Sequence, residues 1–321
     1  MRFDSTGLVS TYISDWMPLN DVTRQAVAGY FAGGIGASPL SRIDKIAFPA
    51  DTKSTLSATL TNPAYYLAGT ADSGVAGYVA AGYDSGTYYS RIDKIAFPAE
   101  TRTTLSATIS STRFAMGGMA NSGTAGYFAG GYNSSGAIQS NIDKIAFPAD
   151  TKTTLSATLS NAKYYLVGIS NTGTAGYFGG GYDAVVTYFS DIDKITFPAD
   201  TKSTLSATLT TARMAMGGLS DSGVAGYYAG GITAVNISGI DKIAFPADTK
   251  TTLSATLTTA RRYSAGMASS GVGGYIGGGV DSGYVDGIDK IAFPSDTKTT
   301  LTAVLTEACF GMSGFANEGT F

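Results

Sequence analysis

The chain contains no histidine and a single cysteine, Cys309. The first absence removes the commonest metal ligand and the commonest general base. The second leaves no partner for an intramolecular disulfide. Tryptophan occurs once, at Trp16, and glutamate only at Glu100, Glu307 and Glu318. Charged residues make up 14% of the 321, and the net charge of -3 gives no reason to expect nucleic acid as a partner. No apolar run is long enough for a membrane-spanning helix, so no membrane insertion is expected. The opening residues Met1-Arg2-Phe3-Asp4-Ser5-Thr6-Gly7 lack the basic-then-apolar pattern of a signal peptide. That predicts synthesis in the cytosol, with lysis or packaging into a particle as the routes of exit.

What is present in quantity is repetition. Ile-Asp-Lys-Ile-Ala-Phe-Pro begins at Ile43, Ile92, Ile142, Ile192, Ile240 and Ile288, broken only by Thr196, at intervals of 48 to 50 residues. A fixed period of this size means one supersecondary unit repeated. In the unit from Arg213 to Thr259, a small-residue stretch (Arg213–Leu219) is followed by an Asp221-Ser222-Gly223 turn signal. Gly226-Tyr227-Tyr228-Ala229 then ends in the pair Gly230-Gly231, and a variable loop leads to Ile240–Phe245. A Pro246-Ala247-Asp248-Thr249 turn precedes a β-prone stretch in which Leu253, Ala255 and Leu257 share one face. These are four short strands, A to D, and no helix-length segment lacks glycine or proline. Four antiparallel strands at this period predict an all-β fold, a β-propeller of six blades. The repeat starts at strand B near Ala26 and stops just after a last strand A, at about Phe310 to Phe315. That last strand is expected to complete the first blade. Residues 26–321 therefore read as the propeller and residues 1–25 as an N-terminal extension or docking arm, with Ile13, Trp16, Met17 and Leu19 available to meet a sister subunit or a particle protein.

The unit resembles a kelch-type repeat. The shared marks are an arginine opening strand A (Arg113, Arg213, Arg261), a glycine pair closing strand B (as at Gly33-Gly34 and Gly130-Gly131) and an aspartate in strand C. Ala81-Gly82 departs from the pattern, and the kelch tryptophan of strand D is missing, with Leu253 and its equivalents in its place. The near-identical copies are also similar, more loosely, to repeat proteins of phage virions and tail-associated adhesins. These resemblances imply the fold; propellers host many functions.

Near-copies of one unit form a scaffold, and function is expected where they differ. The C–D turn barely changes, whereas the B–C loop and the start of strand A vary and are rich in tyrosine. In an up-and-down blade these two variable regions share one face. Loops held on a rigid scaffold are where binding usually resides, and tyrosine gives contact area at low entropy cost. The candidate ligand-binding residues are Tyr65, Tyr66, Tyr88, Tyr89, Tyr164, Tyr165, Tyr188, Tyr263 and Tyr284. An aligned series Ala64, Arg113, Lys163, Arg213, Arg261, Cys309 is cationic in four of six copies and is expected near the channel mouth. Arg113, Arg213 and Arg261 there would suit a carboxylate, sulfate or phosphate group; the alternative is that they bond loop carbonyls or neighbouring carboxylates. The Asp-Lys pair present in every copy reads as polar pairing between blades.

The absence of histidine and the scarcity of glutamate weigh against an enzyme, the variable tyrosine-bearing face favours a non-enzymatic binding or structural protein, and the resemblance to virion and adhesin repeats implies recognition of a host glycan or protein; no cofactor or metal is expected. A purely structural assembly component is the first alternative. The second is a hydrolase of sialidase type. The three arginines invite that comparison, but acids are few and the Asp-Ser-Gly turns lack the tryptophan that follows in the sialidase Asp-box.

Overall fold

The computed structural model describes residues 2–3, 9–10, 28–183, 185 and 187–317. It is an all-β, six-bladed β-propeller with no helix among the described residues. Blade 2 shows the plan: strand A is Ala68–Asp72, B is Ala76–Ala80, C is Ile92–Ala96 and D is Thr101–Thr104, all antiparallel neighbours in that order. Blades 3 to 6 repeat it from Gly117–Asn121, Val167–Asn171, Gly217–Asp221 and Ala265–Ser269. Blade 1 closes the ring as expected. Its strand A is Ser313–Asn317, paired with Ala28–Ala32 in the register Ala28↔Asn317. Strand A starts later than the sequence suggested, at Gly217 rather than near Arg213. Arg2–Phe3 pairs with Val9–Ser10 as a short ribbon. The remainder of the expected extension, including Ile13, Trp16, Met17 and Leu19, lies outside the described residues.

The core is a set of seams between blades. Side chains alternate along a strand, so successive residues face opposite neighbours. In Ile43-Asp44-Lys45-Ile46, Ile43 packs toward blade 2 with Val79 and Ile95, while Ile46 packs toward blade 6 with Tyr275 and Ile288. Asp44 likewise turns to blade 6, accepting bonds from the Thr306 amide at 2.9 Å and its hydroxyl at 2.7 Å. Lys45 turns to blade 2 and pairs with Glu100 at 2.6 Å. The repeated Asp-Lys pair therefore ties blades together as expected, its two residues bonding opposite neighbours.

Each lysine shares its acid with a tyrosine directly across the sheet. Tyr78 Oη donates to Asp150 Oδ1 at 2.8 Å, and Lys94 Nζ to Oδ2 at 2.6 Å. The same tyrosine ring stacks on Phe147 at 4.8 Å. Equivalent clamps grip Glu100, Asp200, Asp248, Asp296 and Asp51. The last joins Tyr275 and Lys290 to Asp51 across the closure of the ring. The gripped acid sits in the left-handed region, with φ of 55° at Asp150. Aspartate tolerates that conformation better than most residues. This accounts for the near-constancy of Ile-Asp-Lys-Ile-Ala-Phe-Pro-Ala-Asp: both isoleucines, the strand aspartate, the lysine, the phenylalanine and the final acid each have a partner in an adjoining copy.

At the axis, strand A runs too close to its neighbours for a side chain. A Cβ on Gly118 would run into the carbonyl of Gly69, and one on Gly168 into that of Gly118.

Candidate binding face

Before each strand A the chain makes one sharp bend toward the axis. The bend residues are Tyr66, Ala115, Tyr165, Ala215, Tyr263 and Gly311, all with φ between 54° and 68°. Their backbones form a closed ring of hydrogen bonds. Ala115 N donates to Tyr66 O at 2.9 Å, Tyr165 N to Ala115 O at 2.7 Å, and so on round to Tyr66 N on Gly311 O at 2.6 Å. Large and small residues alternate, so three rings fill the opening. Tyr66, Tyr165 and Tyr263 meet pairwise at 4.9, 5.2 and 5.1 Å. Burial raises the ionisation of all three phenols above the ordinary tyrosine value. Beneath them lies an axial chamber of about 150 Å³.

Around this plug the variable positions form cross-strand pairs. Tyr65 bridges Tyr83, Phe114 pairs with Tyr132, and Tyr164 bridges Tyr182. The pairs run into one another: Tyr83 to Phe114 is 5.6 Å and Tyr132 to Tyr164 is 5.6 Å between ring centroids. Tyr88 extends the arc from Tyr83 at 5.1 Å, and Tyr188 from Tyr182 at 4.9 Å. Phe310 links Tyr65 to Tyr284, which is 50% exposed. The other rings of the arc are half-buried. The all-aromatic cross-strand pairs lie in blades 2 to 4; the equivalent pairs are Ile35–Phe310 in blade 1, Met214–Ile232 in blade 5 and Arg262–Val280 in blade 6. Burial, then the neighbouring tyrosines, pushes Tyr164 up to about 12, so its hydroxyl remains a neutral donor and acceptor near pH 7.

The structure thus brings Tyr65, Tyr88, Tyr164, Tyr188 and Tyr284 onto one face, with Tyr66, Tyr165 and Tyr263 at its centre. It does not bring Tyr89 there. That ring packs in the seam between blades 1 and 2, under the Arg91 guanidinium at 4.0 Å. Tyr83, Tyr132 and Tyr182, at the middle of the arc, were missed by sequence reasoning. Each is the first residue after the pair that closes its strand B (Ala81-Gly82, Gly130-Gly131, Gly180-Gly181), and aligning that column (Ile35, Tyr83, Tyr132, Tyr182, Ile232, Val280) would have found them.

For the cationic series the structure shows the alternative reading, bonds to neighbouring carboxylates and carbonyls, and not a group of free cations at the channel mouth. Arg113 is buried with its Nη2 2.5 Å from Asp143 Oδ2; both side chains are fully buried. Arg213 and Arg261 stand 3.1 Å from Asp241 and Asp289. Lys163 is 2.8 Å from Asp191 and 3.7 Å from Asp193. These cations lie inside the seams, not at the channel mouth, because each buried strand-C aspartate calls for a counter-charge. Where the series has no cation, one arrives by another route. Opposite Ala64, Arg91 Nε stands 3.7 Å from Asp93; opposite Cys309, Arg42 Nε stands 3.6 Å from Asp44. Arg42 and Arg91 each precede their aspartate by two residues.

On the opposite face the A–B turns are capped by their neighbours. Asp72 Oδ1 accepts from Gly123 N at 2.8 Å and Asn121 Oδ1 from Gly173 N at 2.8 Å. The chain enters the ring at Ala28 and leaves it at Asn317 on this same face.

Fold and faces define a propeller repeat protein suited to binding or to structural roles. No protein-family model and no curated protein matches the chain.

Proposed function

We propose that this protein is a non-enzymatic recognition propeller of kelch type, carried on a virion or surface assembly, that binds a host glycan or protein through its aromatic face. The observation that carries this reading is the contiguous arc from Tyr65 to Tyr188, built at the very positions where otherwise near-identical copies differ. Half-buried rings fixed in backbone bridges lose little entropy on contact, which favours binding. Because the chain enters and leaves on the opposite face, attachment there through residues 1–25 leaves the aromatic face open. Against the hydrolase alternative, Arg113, Arg213 and Arg261 lie in separate seams, each on its own aspartate, and do not converge on a common site.

The test is a binding screen of the purified protein against glycans and host surfaces, alongside a variant carrying Tyr83→Ala and Tyr132→Ala. Binding lost in the variant with an unchanged melting point is the expected result. Binding that the variant retains overturns the reading. A second reading, a purely structural component, is favoured by the near-identity of the C–D turns around the ring. It predicts that the protein is recovered as a stoichiometric part of a particle and binds no surface.

A further inference from the structure

We propose that the occupant of the aromatic face is an uncharged glycan chain lying along blades 2 to 4. This rests on the recognition reading above and narrows it.

Charge comes first. Every arginine and lysine from Arg91 to Lys202 is ion-paired to an aspartate. Among the described residues of the ring, Arg262 is the one cation outside any ion pair with a carboxylate. It stands at the blade 6 bridge with Val280, donates to Asn236 Oδ1 at 2.9 Å and lies over the Tyr263 ring at 5.6 Å, outside the cross-strand pairs of blades 2 to 4. An anionic ligand along blades 2 to 4 would meet no unpaired positive charge, and it would lie against Asp84 in the loop after Tyr83. Desolvating such a ligand there has no compensation.

Shape and chemistry come second. A pyranose ring has an apolar C–H face and a rim of hydroxyls. Tyrosine offers the complement, an apolar ring with a hydroxyl at its tip that both donates and accepts. Neighbouring rings of the arc are turned steeply to one another, at 90° for Tyr65–Tyr83, 76° for Tyr83–Tyr88 and 62° for Tyr164–Tyr182. The arc is therefore a succession of differently inclined ring faces. A chain of rigid rings joined by rotatable linkages can follow it, one sugar per cross-strand pair. Three such pairs occur, in blades 2, 3 and 4, so the matching ligand has at least three sugars.

The test uses an array of neutral and anionic oligosaccharides of increasing length, probed with the intact protein and with the Tyr83→Ala, Tyr132→Ala and Arg262→Ala variants. We expect binding confined to neutral chains of three or more sugars and unchanged at about 0.5 M salt, where exposed charge pairs are screened. It should be weakened about tenfold by each tyrosine variant and left intact by Arg262→Ala. Preference for sialylated or sulfated chains, with loss in salt or in Arg262→Ala, overturns the inference. An array that stays blank overturns it too. If the protein binds a host surface that periodate leaves competent and protease destroys, and the tyrosine variants lose that binding, the inference falls while the aromatic face stands as the recognition surface. If the tyrosine variants bind as the parent does, both fall.

Discussion

Replacing Arg113 by alanine separates charge compensation from packing in the seams. The guanidinium is fully buried, 2.5 Å from Asp143 Oδ2 and 2.5 Å from Asn141 Oδ1. Removing one partner of a buried pair leaves an uncompensated charge, which costs about 3–5 kcal/mol. Asp143 keeps its bonds from Ser110 and Thr154, and Lys152 stands at 3.4 Å. The lower end applies, about 3 kcal/mol, or a fall in melting point of roughly 6 °C. Blade 2 shows how nature solves the same problem with alanine in that place: Ala64 is accompanied by Arg91, two residues before Asp93. Asn141 is the matching position in blade 3. Arg113→Ala combined with Asn141→Arg should therefore recover most of the loss in thermal or urea unfolding. If the double variant is as unstable as the single, the guanidinium acts by filling space and the charge argument is wrong. If the single variant melts like the parent, the buried pair contributes nothing.

Acid should loosen the ring. Asp44, Asp143, Asp193, Asp241 and Asp289 titrate below the ordinary carboxylate value: burial alone would raise them, but hydroxyl and amide hydrogen bonds and adjacent cations outweigh it. A depressed folded-state value stabilises above the unfolded value of about 3.9 and is lost as pH falls through the folded value. Urea midpoints should thus hold to about pH 5 and drop below pH 4; a midpoint still unchanged at about pH 3 refutes this. Asp72 and Asp221 have the opposite sign, raised mainly by burial. Asp72→Asn and Asp221→Asn keep the acceptor for Gly123 and Gly271, as Asn121 and Asn171 do in other blades. Their melting points at pH 7 should match or exceed the parent, and a clear loss would count against the burial cost. Gly118→Ala drives a methyl into the Gly69 carbonyl and should cost about 2 kcal/mol of unfolding free energy; a neutral result would mean that the axis can widen.

Blade number, strand order and closure were legible because they follow from period and phase, which the six copies of Ile-Asp-Lys-Ile-Ala-Phe-Pro state directly. The seams were only half legible. The Asp-Lys pair was legible as polar pairing between blades, but the alternation that sends Asp44 and Lys45 to opposite neighbours was not drawn from it. The bend before strand A could not be read at all. Tyrosine and alanine there adopt φ near 55°, a conformation for which the sequence carries no glycine or asparagine signal except at Gly311. That bend sets strand A back by several residues and turns Tyr66, Tyr165 and Tyr263 into a plug. It also leaves Arg113, which immediately precedes the Phe114–Ala115 bend, inside the seam and not at the mouth.

Divergence among the copies follows the partners each residue has. A strand-C or C–D residue faces an adjoining copy, so a change in one blade is tolerated only if the next blade answers it. The relocated cations are the case where an answer is visible: charge is kept beside Asp44 and Asp93 although the residue that carries it has moved from the start of strand A to Arg42 and Arg91. What is held constant is the neutralisation of a buried carboxylate, not a sequence position. The residues at the aromatic face have a weaker obligation, since their backbone bridges form whatever the side chain. Met214–Ile232 and Tyr65–Tyr83 occupy the same bridge. Rings there are consequently not required by the fold. Their concentration on three consecutive blades, with aliphatic or cationic residues at the same bridges of blades 5 and 6, is the pattern expected if a ligand, and not the scaffold, has shaped that side of the ring.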